Sequence, residues 1–169
     1  MSRKVLVAYA TKMGATASIA AAIGAELRKS GQQVDVHEIT DVKAVSEYDA
    51  VIVGSAIYLR RWRPEAVAFL RRHADQLRTR QVWLFHSGPV GPDKDEEQTM
   101  PRKVAQLAAR IGAAPAVTFA GRLDPDAAHG FLARRLATGD LAVDSRDWER
   151  IAEWAHDIST TLSLTSHHR

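Results

Sequence analysis

The stretch that most constrains this chain is Lys4–Ile19, KVLVAYATKMGATASI. Val5, Leu6, Val7 and Ala8 make a continuous apolar run that ends at Tyr9 and Ala10. A short polar loop, Thr11-Lys12-Met13-Gly14-Ala15-Thr16, then leads straight into the helix-like segment that opens Ala17-Ser18-Ile19. A strand feeding a helix through such a loop gathers unpaired backbone N–H groups and the positive end of a helix dipole in one place. Those are the ingredients of a phosphate site. Gly14 supplies conformational freedom, and Thr11 and Thr16 supply hydroxyl donors. The loop carries neither GxGxxG nor GxxxxGK(S/T), so a mononucleotide-type phosphate is expected there.

The rest of the chain alternates strand and helix. Ile19, Ile23 and Leu27 fall at four-residue steps and end near Ser30-Gly31, an amphipathic helix with a good stop. Val34 and Val36 alternate with Asp35 and His37, as in a strand with one buried face. Residues 40–48 read as a short polar connection. Ala50-Val51-Ile52-Val53-Gly54 is a continuous apolar run suited to a central parallel strand. Pro64 opens a helix with Val67, Phe69 and Leu70 at helical spacing, and Val82–Phe85 makes a fourth strand. Val104, Leu107, Ala108 and Ile111 share one helix face, and Ala116–Ala120 makes a fifth strand. Residues 121–143 read as irregular. Trp148, Ile151, Ala155, Ile158 and Leu162 mark a final helix. One domain over residues 1–163 is expected, with 164–169 a fraying polar tail.

Five alternations imply an α/β fold, a parallel sheet covered by helices on both faces in three layers. Right-handed crossovers and the strand count favour a doubly wound sheet in the order 2-1-3-4-5. Ligands of such sheets sit over the carboxyl ends of the strands, at the switch point between strands 1 and 3. Three loops therefore converge: 10–16, 55–63 and 87–97.

Composition narrows the class. A length of 169 residues suits one well-buried core, and 46% hydrophobic with 25% charged residues argues against general disorder. No apolar run approaches the roughly 20 residues of a transmembrane helix. The opening Met-Ser-Arg-Lys runs directly into a strand, so no signal peptide is expected. The absence of cysteine excludes disulfides and thiolate chemistry and fits a cytoplasmic protein. The charge is mildly basic, +3 with a pI near 9.4.

The second loop, Ser55 to Arg63, offers Tyr58 and Trp62 to stack on a flat aromatic ligand, with backbone groups of Ala56, Ile57 and Tyr58 near its polar edge. The alternative for Trp62 is an anchor that packs on the following helix. The third loop, Ser87-Gly88-Pro89-Val90-Gly91-Pro92, lets a backbone approach a ligand at Gly88 and Gly91, with Val90 its only side chain able to cover a ring. The alternative is a plain Gly/Pro turn. His86 reads as a satisfied core histidine rather than a catalyst. No Ser-His-Asp order, paired carboxylates or HExxH motif occurs.

The first loop resembles the flavodoxin signature Ser/Thr-x-Ser/Thr-Gly-x-Thr, matching at Thr11, Gly14 and Thr16 and departing at Met13. That resemblance implies FMN, its terminal phosphate held by residues 11–16 and its ring between the loops holding Ala56, Ile57, Tyr58 and Trp62 and Ser87, Gly88, Val90 and Gly91. Residues 51–77, VIVGSAIYLRRWRPEAVAFLRRHADQL, resemble the menaquinone-dependent protoporphyrinogen oxidases of the same fold, as do AGRLDP at 120–125 and DWERIAEWAHDI at 147–158. Those oxidases carry a long basic and aromatic insertion after the fifth strand. Here Asp124–Asp144 is shorter, with Phe131, Leu132, Arg134, Arg135 and Leu136 its basic-apolar cluster.

The resemblance implies an FMN oxidoreductase that passes electrons from a reduced organic substrate to a quinone or other acceptor. The alternatives are a flavodoxin-type single-electron carrier between protein partners, or a fold that has lost its cofactor and serves as an interaction module. Carriers of this family are generally acidic, whereas Arg60, Arg61 and Arg63 stand beside the expected ring. That rim suits an anionic small-molecule substrate or, peripherally, an anionic membrane surface; it reads alternatively as a solvated helix entrance. A redox protein partner stays open, and no nucleic acid is expected.

Overall fold

The computed structural model describes residues 3–12, 14–88, 98–120 and 147–166. The strands are β1 (Lys4–Ala10), β2 (Gln33–Glu38), β3 (Ala50–Tyr58), β4 (Arg61–Trp62), β5 (Gln81–Ser87) and β6 (Val117–Phe119). The helices are α1 (Ala15–Lys29), α2 (Pro64–Arg72), α3 (Ala74–Leu77), α4 (Arg102–Ile111) and α5 (Trp148–Ser166). The parallel sheet runs β2-β1-β3-β5-β6, which is the expected 2-1-3-4-5 order once β4 is set aside.

Strand alternation builds the three layers. In β1, Val5 and Val7 face one side, where they meet Ile19, Ile23 and Leu27 of α1 and Ile151, Ala155, Ile158 and Leu162 of α5. Leu6, Ala8 and Ala10 face the other, toward Phe69 and Leu70 of α2 and Val104, Leu107 and Ile111 of α4. The same division repeats in β3, with Ala50 and Ile52 on the first side and Val51 and Val53 on the second. A strand buried on both faces needs apolar residues at successive positions, which is why β1 and β3 read as unbroken apolar runs.

Three features differ from the sequence reading. The residues expected as a second loop form a hairpin: β3 runs on to Tyr58, turns at Leu59 and Arg60, and returns as β4, with Ile57 opposite Trp62 and Tyr58 opposite Arg61. Leu59 and Arg60 take positive φ of 49° and 60°, the left-handed values a two-residue hairpin turn requires. The connection 40–48 is less polar in effect than in composition. Its Val42, Val45 and Tyr48 are buried, and the Tyr48 hydroxyl donates to the Asp35 carboxylate at 2.7 Å. Trp148 opens the final helix at its expected place, with its side chain exposed. Finally, α5 extends through Ser166, three residues into the segment expected as a tail. Residues 121–143 lie outside the described residues.

Candidate functional site

The site forms where the parallel strands end. β1 and β3 are neighbours, registered Ala8 to Val53 and Ala10 to Ser55, yet their crossovers leave on opposite faces, α1 on one and α2 on the other. The crevice between the two departures is the switch point of the sheet.

Gly14 stands at the start of α1 with φ 89°, a left-handed conformation that a side chain would strain. Its N–H donates to the Thr11 hydroxyl at 2.9 Å, closing the loop on itself. The first bond from the helix back to this turn is Ser18 N–H to Gly14 O at 3.2 Å. The N–H groups of Ala15, Thr16 and Ala17 therefore precede any helical acceptor. No side chain caps this helix and no acidic residue sits in its first turn. The donors are thus left for an external anion, and they fit a phosphate.

The Thr16 hydroxyl does not point out to such a group. It is fully buried and meets the Ser87 hydroxyl at 2.6 Å, tying the first loop to the end of β5. Lys12 places Nζ 3.5 Å from the centroid of the Tyr58 ring, which joins the first loop to the hairpin. Tyr58 is 56% exposed. Ala56 and Ile57, on the same strand, are half-buried. Trp62 is only 4% exposed, and it packs with Ala66 and Phe69 of α2 as the anchor reading expected. Its indole N–H donates to His86 Nδ1 at 3.1 Å. Met13, Val90 and Gly91 lie outside the described residues.

His86 is the hub of the third wall. Accepting from Trp62 leaves Nδ1 without a proton, so Nε2 carries it toward the Thr118 hydroxyl at 2.8 Å. The same hydroxyl accepts the Gln98 N–H at 3.1 Å, and Gly88 N–H donates to Phe119 O at 2.7 Å. Hairpin, β5 and β6 are locked together by one buried imidazole. Ser55, likewise buried, accepts the Arg63 N–H at 2.9 Å and fixes the entry to α2. The sequence offered no signal for Ser55, Thr118 or Gln98 as site-building residues, because each acts through a partner distant in the chain.

The described parts of the three loops hold no carboxylate. Among the described residues no cluster of His, Cys, Asp or Glu is placed to hold a metal ion. What the arrangement offers is anion binding at α1, an exposed aromatic face at Tyr58 and a cationic surround. Of the three arginines, Arg63 pairs with Glu65 at 3.0 Å, while Arg60 and Arg61 are exposed.

Comparison with known proteins agrees with this layout. The flavodoxin of Streptococcus pneumoniae TIGR4 superposes with a TM-score of 0.59 at 22% identity, covering 94% of this chain and 99% of that one. The Flv1 flavodiiron core of Synechocystis sp. PCC6803 gives 0.67 at 14% identity, covering 97% of this chain and 37% of the other. In sequence, the chain is 28% identical over 98 residues to the protoporphyrinogen IX dehydrogenase (quinone) of Escherichia coli K12. That match covers 57% of this chain and about half, 54%, of the relative. The flavodoxin-domain family profile matches residues 6–134, through the phosphate-type loop, the hairpin and β5, and the chain belongs to that family.

Proposed function

We propose that the chain is an FMN-dependent oxidoreductase. The observation that carries this reading is the uncapped, acid-free first turn of α1 at the switch point of the sheet. Backbone N–H groups of Ala15, Thr16 and Ala17 would hold the phosphate, with Gly14 opening the turn and Thr11 closing it. Tyr58 would cover one ring face, and the backbone around Ala56, Ile57 and Gly88 would meet the polar edge. When bound, the flavin supplies the electron or hydride chemistry, so this chain's own residues need only bind, orient and set the charge around it.

For the direction of electron flow, the match to the quinone-dependent dehydrogenase supports oxidation of a reduced organic substrate with delivery to a quinone or another acceptor. The exposed Arg60 and Arg61 support an anionic substrate over a basic protein partner, which the single-electron carrier reading would require.

The test is an absorbance spectrum of the purified protein, followed by release and identification of bound cofactor. A flavin band with FMN released is the expected result, as is oxidation of protoporphyrinogen with a quinone. If riboflavin and FMN bind the refilled protein equally well, the phosphate site has been misplaced. Bound FMN without substrate turnover would leave the carrier reading in its place.

A further inference from the structure

A groove of about 540 Å³ lies between α2, the start of α4 and the β3–β4 hairpin, a size within the range of small-molecule sites. Pro64, Val67, Ala68 and Pro101 give it an accessible apolar floor, backed by the buried Trp62 and Val104. The rim is cationic, made of Arg60, Arg61, Arg71, Arg102 and Lys103. All five are exposed, and among the described residues none of them enters an ion pair or a side-chain hydrogen bond. Among the described residues the nearby carboxylates are engaged elsewhere: Glu65 with Arg63 at 3.0 Å, and Asp75 with Arg110 at 3.5 Å.

This clustering has a cost within the fold. Arg102 and Lys103 open α4, which has no acidic residue in its first turn and no side-chain cap, so their charges oppose the helix dipole. Like charges around one depression also repel one another and raise its potential. A bound anion would relieve both effects. An apolar floor under a cationic rim further selects a ligand with an apolar body, since a small hydrated anion would leave the floor uncovered.

We infer that this groove is a second binding site, for an amphipathic organic polyanion. Its apolar or aromatic body lies on Pro64, Val67, Ala68 and Pro101, and two or more anionic groups meet the rim. The guanidinium fork accepts carboxylate and phosphate alike, so a polycarboxylate and a nucleotide polyphosphate share the required chemistry. The site needs no flavin to form, and it stands or falls apart from the reading of the α1 loop.

Calorimetric titration of the full chain, with whatever cofactor it carries, tests this. The probes are NADP+ and a tetracarboxylate porphyrin, with inorganic phosphate as the competitor. At least one probe is expected to bind saturably, one per chain, and to weaken about tenfold or more between about 50 and 300 mM salt. The R71Q/R102Q/K103Q variant is expected to bind that probe about tenfold or more weakly, with its flavin content unchanged and its unfolding midpoint equal to or above the parent's, since the charges it removes oppose the α4 dipole. Should the triple variant fail to fold, R71Q alone, on the exposed side of α2, carries the comparison through a smaller loss in the same direction. Binding of NADP+ alone assigns phosphates as the anchored groups, binding of the porphyrin alone assigns carboxylates, and mutual competition assigns both to one groove. The inference is overturned if neither probe saturates, if the variants bind as the parent does, if both probes bind without competing, or if equimolar inorganic phosphate displaces them.

Discussion

Gly54 lies against the ring of Phe85 in the neighbouring strand, and a Cβ at that position would clash with the ring edge at Cζ, Cε1 and Cε2. The ring has nowhere to go, because Phe119 and Trp154 pack on it with centroids 6.1 and 6.0 Å away. Gly54→Ala should therefore destabilise the fold by about 3 kcal/mol, a large overpacking effect, read as a lower urea midpoint with an unchanged slope. At the same scale, Thr16 shows where sequence reading stops. Its place in the loop was legible, but not its direction, because its partner Ser87 is 71 residues away. The hydroxyl pair makes a test of that difference. If the Thr16 hydroxyl works by tying two loops, Thr16→Val and Ser87→Ala should weaken FMN and riboflavin alike, by about 1–2 kcal/mol each. Direct service to the phosphate would instead make Thr16→Val the larger effect and leave riboflavin indifferent to it.

Among the elements, the amphipathic helices were legible because each buries one face, and the periodicity of Val104, Leu107, Ala108 and Ile111 survives intact. The hairpin was not. A two-residue strand leaves no alternation to read, and Leu59-Arg60 lacks the Asn or Gly that usually marks a positive-φ turn. What holds it is tertiary: the Trp62–His86 bond and the burial of the indole. At the end of α2, His73 is buried against Phe69, with ring centroids 4.7 Å apart, and its Nε2 has no hydrogen-bond partner among the described residues. Burial first, and the Arg72 charge second, lower its pKa. The unfolded chain then binds a proton at His73 more readily than the folded one does, so stability falls as pH drops. The loss begins near the ordinary histidine value of about 6.5 and continues down to the depressed folded value. Denaturation midpoints measured across that window should fall more in the parent than in His73→Phe. Equal slopes in the two proteins would assign the acid sensitivity to other groups.

For the whole molecule, strand order followed from the count of alternations and from the two-sided apolar runs of β1 and β3, neither of which depends on knowing any contact. Electrostatics was only partly legible, because composition fixes the net charge of +3 but not which cations are neutralised. The structure removes Arg63 from the uncompensated set, through Glu65, and leaves Arg60 and Arg61. If FMN binds as proposed, cations beside the ring favour the reduced, more negative flavin and make its midpoint less negative. Each exposed charge contributes about 1 kcal/mol or less, and for a two-electron couple about 30 mV corresponds to 1.4 kcal/mol. Replacing Arg60 and Arg61 by Gln should then shift the two-electron midpoint by about 20–40 mV toward more negative values. The shift should shrink as salt rises, since both side chains lie in solvent. Arg63→Gln should move the potential less, because its charge is already answered by Glu65. A midpoint that stays fixed in the double variant, or moves to more positive values, would show that the arginines exert no field on the ring.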